Sequence, residues 1–563
     1  MAERVREPSF ARASALLSMM PVKVPSGPVD ARKTLFGALM TAATGSRSAT
    51  WIADHRPLAV AVAGDGMVSV SDLAAAASRL AAALHRQGVV AGDWCAVWLD
   101  QPLDVMLAVA ALTGLGAVPV TLSPGLDPAL AAATLEPVRQ DIALLAVQPL
   151  ADAANRQRVP VARTLLWEEV TAAAPRESVH AQAIPAYGVS RAPTDPYVVT
   201  HTSGTTGIPK LAIHTVRSFY EQADMQRKVI ALMRLRGNLA IAVSPVHIRT
   251  LSGYLGVLLS GAQITPIVCR SEEPESIERI LRTWRPNYLE THPNTFMLWE
   301  DLALTDAMAS VRVFLATFDA THPRTVERLL AGSRRRVPMF VELYAQSECG
   351  PLANRMWLGG KRRAARPLPA VSAGHALGWA VPGYSQIRIA DASGADLGRG
   401  KPGRIMARTR GRFAGYLNMP GLFEKNLTAD GWWDTGDYGM LDQARQVHLL
   451  DRQVERLSRA PSAVALEDIL LRRFPELAEA VVMEMDGRLV PVLASRADAP
   501  LDQGVWTAAT GDLADMSPPV HVPLADIPRT ATGKVRRAIL RQQIERLSPV
   551  TPAASAAQRS PHA

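Results

Sequence analysis

Residues 200–210 (THTSGTTGIPK) combine hydroxyl side chains, glycines and a lysine in a pattern suited to binding a triphosphate. Glycine lets backbone N–H groups approach an anion, and Lys210 adds a positive charge. The spacing is not the Walker pattern of P-loop NTPases, and Pro209 forbids a helix start at that point. We therefore predict a phosphate-binding loop of another kind. The loop residues expected to contact a nucleotide are Thr202, Ser203, Gly204, Thr205, Thr206 and Gly207.

Three later segments carry further side chains of the same chemistry. They are 343–348 (LYAQSE), 431–437 (GWWDTGD) and 528–537 (PRTATGKVRR). Carboxylates hold Mg²⁺ together with water and phosphate oxygens, and they accept hydrogen bonds from ribose hydroxyls. A lysine can stabilise the charge that develops when pyrophosphate leaves. Each segment alone is also explained by a turn or a core aromatic, so the prediction depends on their order along the chain.

In this order the four segments resemble those of the adenylate-forming superfamily, which includes acyl-CoA synthetases, the adenylation domains of nonribosomal peptide synthetases and firefly luciferase. The resemblance covers about residues 30–547. It implies an enzyme that uses ATP and Mg²⁺ to convert a carboxylic acid to an acyl-adenylate and pyrophosphate. The acyl group is then passed to a second nucleophile.

The resemblance also implies roles for single residues. Tyr344 packs on adenine in a segment with Ala345 and Gln346, Ser347 meets the α-phosphate, and Glu348 binds Mg²⁺. The other implied roles are phosphate binding and catalysis by Lys210, a metal contact by Thr205, ribose binding by Asp437, a ribose or phosphate contact by Arg452, and catalysis by Lys534.

Two weaker segments bear on the acid. His247, in the run Ser-Pro-Val-His, resembles a histidine that lines the acyl pocket, although a single histidine is as often structural. Residues 316–320 (ATFDA) stand where the family has a Gly-Gly-Ala turn against adenine and the acyl group. We therefore predict nucleotide contacts for Asp319 and Ala320, and a substrate contact for Phe318 that shortens the pocket.

The hinge departs from the family pattern. Residues 451–458 (DRQVERLS) keep Arg452, but Val454 and Ser458 replace the usual hinge acid or lysine and the following lysine. Four segments thus support adenylation, whereas transfer of the acyl group depends on the hinge segment, which is altered. The acceptor can be CoA, a carrier-protein arm or an amine. A thiol is the commonest acceptor among relatives and is our expectation, with a stand-alone amide synthetase as the alternative.

Two rivals come from other classes. The altered hinge is compatible with a non-catalytic nucleotide-binding protein of the same fold, but such a protein would not need the segment around Lys534. An ATPase or kinase would be expected to carry the Walker spacing, which is absent from the sequence. Acid-dependent exchange of pyrophosphate into ATP separates these possibilities.

The elements that must position these residues follow an α/β pattern. Short apolar strands alternate with helices, which favours mostly parallel sheets. We expect a large N-terminal domain of two α/β subdomains and a small β-subdomain, followed by a small mobile α+β domain. The predicted boundaries are a leader at 1–29, the AMP-binding domain at 30–450, a hinge at 451–459, a C-terminal lid domain at 460–547 and a disordered tail at 548–563.

Composition narrows the setting. The net charge is +9, but the basic residues are scattered, so no nucleic-acid surface is predicted. Three widely separated cysteines form no disulfide framework. Residues 103–122 have the length of a membrane span, but Asp104, Gly114, Gly116 and Pro119 favour a buried helix, a turn and a strand. With no secretory signal recognised, we expect a cytoplasmic protein.

Overall fold

The computed structural model describes residues 22–23, 25–45, 49–138, 142–174, 185–202, 208–270, 273–317, 320–359, 375–453, 457–460, 462–513, 516–530 and 534–547. Within these ranges the chain forms three sheets flanked by helices. The strands are β1 Thr50–Ala53, β2 Met67–Ser69, β3 Trp94–Trp98, β4 Val118–Thr121, β5 Ala143–Ala146, β6 Arg163–Leu166, β7 Pro196–His201, β8 Leu211–Thr215, β9 Gly237–Ala242, β10 Ile264–Val268, β11 Tyr288–Thr291, β12 Val313–Thr317, β13 Met339–Gln346, β14 Gly350–Leu358, β15 His375–Ala380, β16 Ser385–Ala390, β17 Gly403–Thr409, β18 Gly415–Tyr416, β19 Trp433–Leu441, β20 Val447–Arg452, β21 Leu477–Met485, β22 Arg488–Ser495 and β23 Val520–His521.

The helices alternate with these strands along most of the chain. They are α1 Leu35–Ala43, α2 Val70–Arg86, α3 Pro102–Leu115, α4 Pro128–Leu135, α5 Gln148–Arg156, α6 Trp167–Ala173, α7 Val216–Leu232, α8 Ile248–Ser260, α9 Pro274–Trp284, α10 Pro293–Leu298, α11 Pro323–Gly332, α12 Pro420–Asn426, α13 Ala463–Arg473, α14 Gln503–Thr510 and α15 Arg537–Leu547. The expected α/β fold class is confirmed, with a large N-terminal part and a small C-terminal one.

Two large sheets form the N-terminal part. One has the order β18-β8-β7-β4-β3-β5-β6, and the other runs β16-β17-β19-β20-β15-β14-β13-β12-β11-β9-β10-β1-β2. In the second sheet, β1, β10, β9, β11, β12 and β13 are parallel neighbours in that spatial order, so their carboxyl ends lie along one edge. Ligands of open parallel sheets bind outside such an edge.

The expected small β-subdomain is hydrogen-bonded to the second sheet. Strand β15 pairs antiparallel with β14 on one side and with β20 on the other. A separate short sheet, β21-β22-β23, lies in the C-terminal part with α13, α14 and α15. The domain boundaries predicted from the sequence stay predictions.

Helix α3 packs between the two large sheets. Every residue of α3 is buried, and its apolar side chains belong to a core cluster that includes Trp51 of β1 and Val97 of β3. The helix begins with Pro102 at its first turn and ends before Gly116, whose φ of 82° is the left-handed conformation that glycine adopts at no steric cost. Its length and burial explain why the sequence around it has the apolar character of a membrane span.

Asp104 is the one acidic residue inside that buried helix. Its two carboxylate oxygens accept hydrogen bonds from the backbone N–H groups of Leu58 and Ala59, each at 2.9 Å. Burial raises the pKa of Asp104 to about 6, although these hydrogen bonds oppose the shift. Across the described ranges, no helix is long and apolar enough to cross a membrane.

Candidate functional site

The segment 200–210 lies between two paired strands. Strand β7 leads into it and the antiparallel β8 leaves it, and the Thr202 N–H donates to the carbonyl of Lys210 at 2.9 Å. Asn418 anchors the exit of the loop, because its side-chain Nδ2 donates to the Pro209 carbonyl and its Oδ1 accepts from the Leu211 N–H. The predicted contacts Ser203, Gly204, Thr205, Thr206 and Gly207 lie outside the described residues.

Lys210 and Glu348 meet at one aromatic ring. The Tyr416 hydroxyl donates to Glu348 Oε1 at 2.6 Å, and the Lys210 ammonium lies 5.4 Å from the centroid of the Tyr416 ring. Burial first, and the Glu348 carboxylate second, raise the pKa of Tyr416, so the phenol stays protonated and donates. The predicted phosphate lysine and the predicted magnesium carboxylate are therefore held by one tyrosine.

Tyr416 is a site residue that no sequence motif predicts. It lies on the two-residue strand β18, which pairs with β8 at the pairs Tyr416↔Ala212 and Gly415↔Ile213. This long-range pairing brings residue 416 beside the end of the phosphate loop. A tyrosine after a glycine has no motif of its own, so only the sheet pairing reveals it.

Strand β13 delivers the segment 343–348 to the carboxyl edge of the second sheet. The Tyr344 hydroxyl donates to Asp437 Oδ2 at 2.6 Å, and the Gln346 side-chain amide donates to the same oxygen at 3.0 Å. Burial first, and the Asp437 carboxylate second, raise the pKa of Tyr344 well above its usual value. A register shift between Tyr344 and Ala345 marks a bulge where the strand reaches this cluster.

Asp437 also faces Arg452. The Arg452 Nε is 3.9 Å from Asp437 Oδ1, and the two residues are paired across β19 and β20. The structure thus brings together Tyr344, Gln346, Asp437 and Arg452, which come from three separate stretches and which the family resemblance assigns to one nucleotide.

His247 approaches the same edge from the start of α8. Its Nε2 lies 3.1 Å from Ser347 Oγ, and its Nδ1 accepts from the backbone N–H of Arg249 as the cap of the helix. Burial, and then the neighbouring His292, lower the pKa of His247 well below its ordinary value. A neutral imidazole therefore faces the hydroxyl predicted to meet the α-phosphate.

The remaining predicted residues are placed only in part. Ala320 is half-buried just after the carboxyl end of β12, whereas Phe318 and Asp319 lie outside the described residues. Lys534 lies in the C-terminal part, where its carbonyl accepts from the Thr530 N–H and Arg529 pairs with Val535. The predicted roles of all these residues stay predictions.

No group of three or more metal-binding side chains is found in the described part of the chain. A single carboxylate such as Glu348 is nevertheless a suitable Mg²⁺ ligand, because Mg²⁺ is commonly held by one or two carboxylates together with substrate phosphates and water.

The chain is similar to known proteins over most of its length. Residues 49–417 match the family model described as AMP-binding enzyme. The chain is 34% identical to 3-amino-2-hydroxy-4-methoxybenzoate diazotase of Streptomyces cremeus, over 90% of this chain and 95% of that protein. It is 26% identical to 3-aminoavenalumate diazotase of a Streptomyces species, over 85% of this chain and 89% of the relative.

Other similar proteins form CoA thioesters by name. The chain is 26% identical to 4-chlorobenzoate–CoA ligase of an Arthrobacter species, over 88% of this chain and 94% of that protein. Among solved structures, o-succinylbenzoate CoA synthetase of Bacillus subtilis in complex with ATP and magnesium covers 90% of this chain and 99% of its own, with a TM-score of 0.71 and 20% identity. The likeness to the solved structure shows the fold.

Proposed function

Since the chain belongs to the family of AMP-binding enzymes, which are ATP-dependent acid ligases, we propose that it activates an oxyacid with ATP and passes it to an aromatic amine. The acid that we infer is nitrous acid, and the product is a diazonium ion. The observation that carries this proposal is the 34% identity to a diazotase over 90% of the chain. The thiol acceptor expected from the sequence becomes the second candidate.

The nucleotide is proposed to bind along the carboxyl edge of the second sheet. Tyr344 lies against adenine, while Asp437 and Arg452 face the ribose. A carboxylate already held by Tyr344 and Gln346 keeps its orientation and needs little rearrangement to accept hydrogen bonds from hydroxyls. Thr202 and Lys210 are proposed to face the phosphates, together with the predicted contacts Ser203, Gly204, Thr205, Thr206 and Gly207.

Glu348 would hold Mg²⁺, with Thr205 as a further ligand, and the ion would neutralise charge on the phosphate oxygens. The Tyr416 hydroxyl fixes one carboxylate oxygen of Glu348, which leaves Oε2 to face the phosphates. Lys210 and Lys534 are proposed to place positive charge beside the negative charge that grows as pyrophosphate leaves. Ser347, held by the neutral His247, would donate its hydroxyl proton to an α-phosphate oxygen.

The proposed reaction balances in two steps. A nitrite oxygen attacks the α-phosphorus of ATP, a new P–O bond forms, and the bond to pyrophosphate breaks. The amine nitrogen then attacks the nitroso nitrogen, an N–N bond forms, AMP leaves with the oxygen that it gained, and the amine gives up a proton. The resulting N-nitroso compound takes up a proton and loses water to give the diazonium ion.

Nitrite fits this family because its chemistry resembles that of a carboxylate. Both are small oxyanions that can attack the α-phosphorus. Once either is bonded to AMP, its central atom is an electrophile that a nucleophile can attack. An amine acceptor also needs no tunnel for a CoA or carrier-protein arm. This agrees with the altered hinge, in which Val454 and Ser458 replace the usual residues.

The second candidate is a ligase that joins a carboxylic acid to CoA. The similarity to 4-chlorobenzoate–CoA ligase over 88% of this chain favours it. In that case an aromatic carboxylate would attack the α-phosphorus and the thiol would displace AMP. The same nucleotide site would serve both reactions, so the two candidates differ in the acid and in the acceptor.

One experiment separates them. The purified chain is incubated with ATP, Mg²⁺ and an amino-hydroxybenzoate, with nitrite or with CoA, and three products are measured: pyrophosphate, the coloured azo compound formed by trapping a diazonium ion with a phenol, and the thioester. We expect pyrophosphate and azo compound only when nitrite and enzyme are both present. Omission of ATP controls for spontaneous nitrosation.

The opposite pattern would refute the diazotase proposal. Pyrophosphate released with the aromatic acid alone, followed by a thioester when CoA is added, would assign the second candidate. Exchange of labelled pyrophosphate into ATP, measured with nitrite alone and with the aromatic acid alone, identifies which of the two is adenylated.

A further inference from the structure

A buried ion pair lies beside the cluster of His247 and Ser347. Arg249 Nη2 is 2.9 Å from Glu290 Oε2, and the Tyr288 hydroxyl donates to the same oxygen at 3.1 Å. The side chains of Arg249 and Glu290 are 14% and 4% exposed. We call Tyr288, Glu290 and Arg249 the β11 polar group, after the strand that carries two of them.

The β11 polar group lies at the edge where ligands of a parallel sheet bind. Glu290 is the third residue of β11, one residue before its carboxyl end, and Thr291 pairs with Ala316 of β12 in parallel register. Arg249 is two residues from His247, whose imidazole contacts Ser347. The group is therefore adjacent to the part of the site where the acid or its acceptor must bind.

Both charged members keep unused hydrogen-bonding atoms. Glu290 Oε1 and Arg249 Nε are buried, and neither has a hydrogen-bond partner among the described residues. Buried polar atoms in folded proteins are nearly always satisfied, so an unsatisfied carboxylate oxygen calls for a ligand or water as its partner. Burial raises the pKa of Glu290, while the Arg249 charge opposes the shift and favours the carboxylate.

We propose that Glu290, oriented by Arg249 and Tyr288, is a specificity-determining residue that accepts a hydrogen bond from an amino or hydroxyl group on the ring of an aromatic substrate. This rests on the proposed function, because it names the part of the site that selects an amino-substituted aromatic acid. An ionised carboxylate is a hydrogen-bond acceptor only, so the matching group on the ligand must be a donor.

The selection follows from the free-energy cost of burying a hydrogen-bond acceptor that has no donor. A ring without a donor would bury Glu290 Oε1 against carbon, and the lost hydrogen bond to a charged group corresponds to about 10- to 100-fold in affinity. Sites built to hydrogen-bond a polar substituent reject analogues that lack it more strongly than apolar pockets reject a missing methylene.

The test measures binding without turnover. Dissociation constants of 3-amino-2-hydroxybenzoate and of benzoate are determined by calorimetry, with Mg²⁺ and an ATP analogue that cannot release pyrophosphate, and without nitrite. We expect the wild-type chain to bind the substituted acid at least about 10-fold more tightly. In Glu290→Gln the amide oxygen must face Arg249 and Tyr288, which turns the NH₂ towards the ligand, so the preference should fall to about 3-fold or less.

Two further variants keep the test decisive if Glu290→Gln folds poorly. The double variant Arg249→Met/Glu290→Leu removes both charges together, which is tolerated better than leaving one of them buried alone. It should bind both acids with similar affinity. The matched control is Glu278→Gln, the same substitution at a surface carboxylate of α9 that pairs with Arg282, and it should retain the wild-type preference.

A wild-type chain without preference, or a Glu290→Gln chain that keeps the full preference, would overturn the proposal. Since no nitrite is present, the outcome is independent of the reaction. A chain that selects the amino-substituted acid through Glu290 but forms no diazonium ion would refute the proposed function and leave this inference standing.

Discussion

At the scale of single residues, the candidate site is arranged by hydrogen bonds among its own side chains. Tyr344 and Gln346 both donate to one oxygen of Asp437, and Tyr416 donates to one oxygen of Glu348. These hydrogen bonds fix the orientation of both carboxylates, and the other oxygen of Asp437, Oδ1, faces Arg452. Such preorganisation lowers the entropic cost of binding and of reaching the transition state.

Lys534 gives a prediction at the same scale. If its ammonium stabilises charge on the α-phosphate during the first step, then Lys534→Ala should reduce acid-dependent pyrophosphate–ATP exchange by about 10²–10³-fold while ATP affinity changes little. The measurement is exchange of labelled pyrophosphate, with ATP affinity taken from calorimetry. The control is Arg488→Ala, which removes an exposed positive charge from β22 of the same C-terminal part. An unchanged exchange rate would exclude Lys534 from the mechanism.

Site residues that lie in local motifs can be predicted from the sequence, whereas those placed by long-range contacts are found only in the structure. Tyr344, Asp437 and Arg452 are predicted because the segments that carry them resemble those of the adenylate-forming superfamily, and the structure brings the three side chains together. Tyr416 and Glu290 were not predicted. Their positions depend on strand pairing and on helix packing over long sequence distances, which a local pattern cannot encode.

At the scale of secondary structure, the residues that precede a helix explain where the helix begins. Helix α4 begins at Pro128 directly after Asp127, whose carboxylate accepts from the N–H groups of Ala129 and Leu130. Helix α2 begins one residue after Ser69, whose hydroxyl accepts from the Asp72 N–H, although Ser71 lies only two residues further along the chain. Two nearby serines are equivalent in sequence, and the helix start follows the one whose backbone is extended.

The ends of α3 and α8 allow a prediction about glycine at helix termini. Gly116 and Gly261 both cap a helix with positive φ, at 82° and 58°. A Cβ at Gly116 would lie 3.0 Å from the Ala91 Cβ and 3.3 Å from Val189, whereas nothing lies within 4 Å of a Cβ at Gly261. Gly261→Ala should therefore cost about 1 kcal/mol of unfolding free energy from backbone strain alone, and Gly116→Ala about 2–4 kcal/mol because overpacking adds to it.

Urea denaturation of the two alanine variants and the wild type, followed by circular dichroism, measures these differences. The Gly261→Ala variant serves as the control for the left-handed backbone. Equal losses in both variants would mean that the contacts of Gly116 relax without cost and that packing of α3 against its neighbours is looser than the structure indicates.

At the scale of the whole molecule, the C-terminal part is joined to the N-terminal part by a buried charged network. Asp468 of α13 lies between two histidines, with His322 Nδ1 at 2.5 Å from Oδ1 and His375 Nδ1 at 3.5 Å from Oδ2. His375 Nε2 is 2.8 Å from Glu342 Oε1 of β13. Arg324 adds hydrogen bonds to two backbone carbonyls of the C-terminal part.

The network couples the docking of the two parts to pH. Burial opposes the charged imidazole, but the carboxylates of Glu342 and Asp468 outweigh it and raise the pKa of His375 to about 10. A raised folded-state pKa contributes stability that is complete below the ordinary value of about 6.5 and is lost as pH rises through about 10. The pKa of Asp468 is lowered despite its burial, because His322 and His375 donate to it, so its contribution is lost only in acid.

Asp468→Asn should therefore loosen the docking of the C-terminal part, and the difference from wild type should be largest near pH 5–6 and shrink as pH approaches 10. Removing one member of a buried ion network costs about 3 kcal/mol, because its partners stay buried. Limited trypsin digestion reports this opening, since the predicted hinge contains Arg452, Arg456 and Arg459 as cleavage sites. The control is Asp512→Asn, which removes an exposed partner of Arg473 within the C-terminal part and should leave hinge cleavage unchanged. An adenylate-forming enzyme of this fold is expected to rotate its C-terminal domain between half-reactions, so the contacts that hold this domain in place matter for turnover. A difference in hinge cleavage between wild type and Asp468→Asn that did not change with pH would mean that the network only packs the interface and does not govern its opening.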